Sequence, residues 1–199
     1  MNEVNIALTV LLWAVYFFLH SLLIATSVKS KILSATGWSI KNYRLIYSVF
    51  STVGLLPIFY FLATTPSSFL LQKNEMLQFI SLALCTWGII VIKLTFKNYS
   101  LREFLGLKSM SGSKFIKSGL LQYVRHPLYS GTILLFLGFW FFIPNLLNLV
   151  SIVCVFAYLF IGIRLEEKKL IEEFGEDYER FKEEVPAVFP DLKRLFSKS

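Results

Sequence analysis

Polar and apolar positions along this chain segregate into blocks rather than alternate. Residues 4–28, 45–72, 76–92 and 127–163 carry no charge, and almost every charged residue falls between or after these runs. A helix of about 18 or more apolar residues matches the hydrocarbon core of a bilayer. The pattern predicts spans over residues 4–25, 45–63 and 76–96. The last run is 37 residues long. That is about twice one span, because a helix rises about 1.5 Å per residue across a core of about 30 Å. Pro144-Asn145 divides it, which predicts helices over 127–143 and 146–163 joined by a tight turn. The fold class expected is all-α: one polytopic membrane helical bundle over residues 1–199, with five transmembrane helices and a C-terminal amphipathic helix.

The connecting segments refine this picture. Lys29, Lys31, Lys41 and Arg44 lie in or beside a first loop, and Pro57 is expected to kink the second span. Thr64 to Ser68 reads as a turn. Residues 97–126 are too polar to cross a bilayer, with Lys97, Arg102, Lys108, Lys114, Lys117 and Arg125 spread among Gly106, Gly112 and Gly119. Leu101, Phe104, Leu105 and Leu107 would press a short part of it onto the membrane surface. With five spans and an external N-terminus, 19 of the 20 Lys and Arg residues fall on one side, and only Lys73 falls on the other. Positive loops favour the cytoplasm, so the tail 164–199 is expected there.

The tail continues the last span. At about 100° per residue, Ile163, Glu167, Leu170, Ile171, Phe174, Tyr178 and Phe181 share one face. Glu167 sits near the middle of that apolar stripe. A carboxylate there is costly without a partner. Phe174-Gly175 and the segment from Val185-Pro186 to Phe189-Pro190 mark the helix's interruption and end.

Composition agrees with a membrane protein. Charged residues make up 17% of the chain, against about 25% in soluble domains, and mean hydropathy is +0.62. The net charge of +7 flanks membrane segments, which points to lipid headgroups as partners and not to nucleic acid. Cys85 and Cys154 lie inside spans, and with two separated histidines they form no disulfide framework or metal set. The first span lacks a basic leader and a small-x-small cleavage site, so it reads as a span and not as a signal peptide. No obligate protein partner is implied.

The chemistry concentrates at the two ends of the hairpin 127–163. One end reads Tyr123-Val-Arg125-His126-Pro127-Leu-Tyr129-Ser-Gly131. Pro127 suits a first helical turn, leaving backbone donors and a positive dipole end nearby. Arg125 offers a forked donor, His126 a donor or acceptor, and Tyr123 and Tyr129 flat faces with polar tips. Arginine and tyrosine are also common interfacial anchors, so the pattern alone leaves both readings open. The other end carries Arg164, Glu166 and Glu167. A hairpin returns to its starting side, so the two ends are expected to be neighbours. Together they would suit a small zwitterionic cofactor bearing an aromatic base. The chain has no Gly-x-Gly and no Gly-x-Ser-x-Gly, hence no Rossmann, phosphate-loop or nucleophile-elbow signature.

These residues carry a family resemblance. Arg125-His126-Pro127-Leu128-Tyr129 is followed by Arg164-Leu-Glu166-Glu167-x-x-Leu170, Phe174-Gly175-x-x-Tyr178-x-x-Phe181, Val185-Pro186 and Pro190. The set resembles the isoprenylcysteine carboxyl methyltransferase and phospholipid methyltransferase superfamily over about residues 115–192. His20-Ser21 and Tyr43-Arg44-Leu45 look like the bacterial branch of NnrU-type proteins and methanethiol S-methyltransferases. The resemblance implies an integral membrane enzyme, in a bacterial or archaeal cell membrane, that uses S-adenosylmethionine. By motif, Tyr123, His126, Pro127, Tyr129, Glu166 and Glu167 would bind the cofactor. Arg164 and Arg125 would serve the reaction by placing the acceptor or the cofactor carboxylate. The acceptor would be a lipophilic or small thiol, carboxyl or amine, with His20, Tyr43 and Arg44 on the acceptor side.

Two other readings stand beside this one. The same broad fold resembles membrane sterol reductases that use NADPH. A non-enzymatic solute-binding protein would instead use His20 and Arg44 to line a path.

Overall fold

The computed structural model describes residues 3–98 and 118–191. The expected membrane-surface piece at 101–107, and the tail's Lys193, Arg194 and Lys198, lie outside the described residues. The described chain forms eight α-helices and one 3-10 turn: α1 (Glu3–Ile24), α2 (Thr26–Thr36), α3 (Ile40–Val53), α4 (Leu56–Thr64), α5 (Glu75–Asn98), the turn Gly119–Gln122, α6 (Pro127–Phe142), α7 (Leu146–Phe174) and α8 (Glu176–Glu184). Among the described residues, four stretches are long and apolar enough to cross a membrane: Glu3–Ile24, Ile40–Thr64, Glu75–Phe96 and Leu146–Phe174. α6 is a shorter apolar helix of 16 residues. Large apolar side chains point outward along these helices, Phe18, Tyr60, Phe79 and Leu82 among them, each more than 60% exposed. Such surfaces fit lipid and would be a liability in water. The chain is an integral membrane protein.

The helices group into two compact units. The first holds α1 to α4 and the start of α7. Its interior includes Thr9, Trp13, Tyr43, Ile58, Leu62 and Leu147. Two expectations change here. The stretch after the first span is not a loop. It forms α2, which carries Lys29 and Lys31 and ends at Gly37 in the left-handed region (φ 67°). The second span begins at Ile40 rather than residue 45, because the Ser39 hydroxyl caps α3 by accepting from the Asn42 N–H. Lys41 and Arg44 therefore lie on that helix. The span is interrupted at Gly54-Leu55, and Pro57 stands in the first turn of α4, where a missing N–H costs no helical bond. The expected division of the hairpin at Pro144-Asn145 is observed. Leu70 N–H donates to the Pro144 carbonyl at 2.8 Å, and Leu146 N–H to the Ser68 carbonyl at 3.1 Å.

The second unit is built on α5 and α6, which pack closely along their lengths. Small residues allow that approach. A Cβ on Gly88 would lie 2.9 Å from the Gly131 carbonyl oxygen, and one on Gly138 would lie 3.0 Å from the Ser81 oxygen. The Ser81 hydroxyl donates to the Gly138 carbonyl at 2.8 Å across the same seam. Beyond residue 163, α7 leaves its apolar stretch and continues as the charged segment Arg164–Phe174. Gly175 (φ 56°) then ends the helix and lets α8 change direction. Tyr178, Phe181 and Val185 pack with Leu121 into a small core, flanked by Leu170, Ile171 and Phe174. This is the stripe expected from the sequence, carried by two helices.

Candidate active site

The start of α6 and the charged end of α7 meet in the second unit. His126 caps α6: its carbonyl accepts from the Ser130 N–H at 3.1 Å, and Pro127 follows as the first helical residue. Residues 186–188 run alongside. The N–H groups of Arg125 and His126 donate to the carbonyls of Pro186 and Ala187, each at 2.9 Å. The Ser130 hydroxyl donates to the Val188 carbonyl at 2.6 Å. The tail end is thus tied by backbone bonds to the Arg-His-Pro segment.

Glu167 is the centre of the cluster. It is 6% exposed. Its Oε1 accepts from Arg125 Nε at 3.0 Å and Nη2 at 2.7 Å, and lies 3.2 Å from His126 Nε2. Its Oε2 lies 3.0 Å from Lys182 Nζ. Burial pushes the Glu167 carboxyl pKa up, but the hydrogen bonds from Arg125, Lys182 and His126 outweigh it and hold the group below its ordinary value. The remaining Arg125 nitrogen, Nη1, donates to the Lys182 carbonyl at 2.7 Å and to the Val185 carbonyl. The carboxylate that the stripe left without a partner has three.

The other residues expected at this end take distinct positions. Tyr129 stacks on His126 with ring centroids 5.5 Å apart. Glu166 is exposed, with its Oε2 3.7 Å from His126 Nδ1. The Tyr123 ring is exposed. Arg164 lies over the Phe160 ring at 4.0 Å, a cation–π contact at the end of the apolar stretch. An open cleft of about 370 Å³ is lined by Arg164, Glu167, Lys168, Ile171, Glu172 and Lys182. Burial and the nearby Glu167 charge push the Tyr178 hydroxyl, beneath the cluster, up to about 12.

The acceptor-side candidates belong to the first unit. His20 Nδ1 is 3.2 Å from the Ser51 hydroxyl, and Nε2 is 2.9 Å from the Tyr47 hydroxyl. Tyr16 stacks on the same imidazole at 5.7 Å. Tyr43 is buried and donates to the Leu23 carbonyl, while Arg44 is half-buried on α3. Tyr47 and Ser51 escaped the sequence reading, although they stand four residues apart on one helix, facing a histidine. Lys182 also escaped it. It follows a helix break, and in sequence it is one more charge in an exposed, charged helix.

Comparison with known proteins fits this arrangement. Residues 76–177 match the family described as phospholipid methyltransferase, a stretch that contains the Arg-His-Pro segment and both glutamates. The chain is 31% identical over 159 residues to a methanethiol S-methyltransferase of Crocosphaera subtropica, covering 74% of this chain and 60% of that protein. It is 32% identical over 118 residues to the methanethiol S-methyltransferase of Pseudomonas deceptionensis, covering 54% and 43%. A protein-S-isoprenylcysteine O-methyltransferase of Saccharomyces cerevisiae is 32% identical over 93 residues, covering 46% and 39%. The chain therefore spans less than two thirds of each relative's length. With more than half its residues within the matched region, the chain belongs to the phospholipid methyltransferase family.

Proposed function

We propose that this protein is an S-adenosylmethionine-dependent membrane methyltransferase whose acceptor is a small or lipophilic thiol. The observation that carries the reading is the buried Glu167 carboxylate, held ionised by Arg125 and His126 at the edge of an open cleft. The donor set suits the cofactor. Glu167 and Glu166 supply anionic groups for its cationic centres. Tyr123 and Tyr129 supply aromatic faces for a base, and Arg164 and Lys168 supply cations for a carboxylate.

Bound S-adenosylmethionine would supply an electrophilic methyl group on a sulfonium. The protein's part is to bind, align and exclude water, effects that together contribute about 7–11 kcal/mol in well-oriented reactions. Arg125 is a positioning residue here, because its donors are engaged by Glu167 and by the end of α8. Arg164 lines the cleft, with its guanidinium over the Phe160 ring, and would meet a carboxylate or an acceptor anion there. A thiol needs only to arrive as thiolate to attack. The thiol preference rests on the two relatives named as methanethiol S-methyltransferases. His20, Tyr43 and Arg44 are proposed as acceptor-side groups. The excess of Lys and Arg on one side of the spans supports a cytoplasmic position for the charged end of α7.

The test is transfer of labelled methyl from S-adenosylmethionine by the purified protein in detergent. Methanethiol, longer alkyl thiols, a prenylated cysteine and a phospholipid amine are offered side by side. Thiol methylation that Glu167→Gln abolishes is the expected result. Labelling of the amine alone would reassign the acceptor, and no cofactor binding at all would end the reading.

A further inference from the structure

Glu167 is held by three side chains that differ sharply in their freedom to move. Arg125 and His126 are almost wholly buried, with side chains 9% and 4% exposed. Arg125 is also fixed by the carbonyls of Lys182 and Val185, so it cannot leave Glu167 without releasing the end of α8. Lys182 is different. Its side chain is 45% exposed, and its ion pair is with Oε2, the oxygen that Arg125 and His126 leave to it. It lines the same cleft as Glu167. A lysine carries a compact charge on a long, flexible stem, and a half-exposed ion pair of this kind is weak and readily exchanged.

We propose that Lys182 is a resident counter-ion that a cationic ligand group displaces from Glu167, so that the cleft selects molecules carrying an ammonium or sulfonium. The proposal rests on the reading of the cleft as the methyl-donor site and adds a residue beyond the stretch matched to the family. The physical reason is that both carboxylate oxygens must be paired. Arg125 and His126 serve Oε1, and a buried Oε2 left without a donor is costly when no ligand is bound. Lys182 serves Oε2, and an incoming ammonium or sulfonium takes the same oxygen while Lys182 swings out to water. The Lys182 backbone stays in place, because its carbonyl remains on Arg125. The exchange is therefore a side-chain swing and requires no movement of α8. It also makes the resting protein partly self-occupied, which lowers apparent affinity by the fraction of molecules in which Lys182 covers Oε2.

The test is calorimetric titration of the full chain in detergent with S-adenosylmethionine, S-adenosylhomocysteine and 5′-methylthioadenosine. The first two carry an ammonium, and the third carries neither charge. Removing the competitor in Lys182→Met is expected to tighten the first two about two- to fivefold, the factor a half-exposed ion pair supports, and to leave the third unchanged. Lys182→Arg, which grips a carboxylate with a fork, is expected to weaken the first two. A fold defect would not give opposite signs in the two variants. Unchanged or weaker binding of S-adenosylmethionine by Lys182→Met, or equal tightening of all three ligands, overturns the exchange alone. Failure of the unaltered protein to bind S-adenosylmethionine overturns the cofactor reading, and the exchange with it.

Discussion

Arg125 directs Nε and Nη2 to one oxygen of Glu167, at 3.0 and 2.7 Å, while its Nη1 donates to carbonyls at the end of α8. One guanidinium thereby joins the start of α6, the charged turn of α7 and the tail. Removing either partner takes from a buried charge its closest counterpart, a loss of up to about 3–5 kcal/mol. Arg125→Met and Glu167→Leu are each expected to lose stability on that scale. The double variant is expected to be more stable than the sum of the two losses allows, by roughly 1–3 kcal/mol. It does not recover fully, because Arg125 also serves two carbonyls. Thermal unfolding of the four proteins in one detergent gives the coupling. Strict additivity would contradict a direct pair.

The same pair sets a pH dependence. The folded Glu167 carboxyl lies below its ordinary value of 4.5, a shift produced by Arg125, Lys182 and His126 against the opposing effect of burial. A depressed folded value contributes stability that is complete above the unfolded value and is lost as pH falls through the folded one. The stability gap between the unaltered protein and Glu167→Gln should therefore be widest above pH 4.5 and should narrow as the solution is acidified. Unfolding midpoints at a series of pH values measure it. A gap constant with pH would mean that the carboxylate is not the stabilising form.

How much of this was legible in the sequence depended on range. The four apolar blocks follow from local composition, and the turn at Pro144-Asn145 that divides the last of them is a local signal. Glu167 was conspicuous because six apolar neighbours shared its helical face. Helix α2 was missed because Lys29, Ser30 and Lys31 look like a loop, although Val28 and Ile32 stand at helical spacing. The start of α3 was misplaced because a cap, not hydrophobicity, sets it. Lys182 could not be read at all. It lies beside the stripe that Tyr178 and Phe181 continue past Gly175, as one of several charges in Glu176–Glu184, and nothing in the pattern singles it out.

The seam between α5 and α6 gives a prediction that depends only on space. A Cβ at Gly88 meets backbone at 2.9 Å, and one at Gly138 meets the Cys85 amide nitrogen and the Ser81 oxygen at 3.0 Å. Backbone cannot swing aside as a side chain can. Gly88→Ala and Gly138→Ala are expected to cost about 1–3 kcal/mol each by forcing the helices apart. At Gly162 the nearest neighbour is the Tyr129 hydroxyl at 3.6 Å, an ordinary contact, so Gly162→Ala should be neutral or slightly stabilising. Comparing the three thermal midpoints decides it. An equal loss in all three would point to a general intolerance of side chains in these helices, unrelated to the close approach.

The tail's attachment can be loosened without touching the charged cluster. The Ser130 hydroxyl donates to the Val188 carbonyl at 2.6 Å, one turn into α6, whereas Arg125 and His126 use their backbone N–H groups for Pro186 and Ala187. Ser130→Ala removes one hydrogen bond of about 1 kcal/mol and leaves both backbone bonds and Glu167 intact. If residues 186–188 are held as a unit, losing one bond should raise the local opening rate of the others. Amide exchange at Arg125 and His126 is then expected to quicken about fivefold, while exchange along α5 stays as it was. If the quickening extends equally to α5, the variant has lowered global stability. If the two amides are unaffected, the hydroxyl bond does not help to hold the tail. Either result would separate the tail's anchoring from Ser130 and leave the backbone pairing at Arg125 and His126 as its sole support among these contacts.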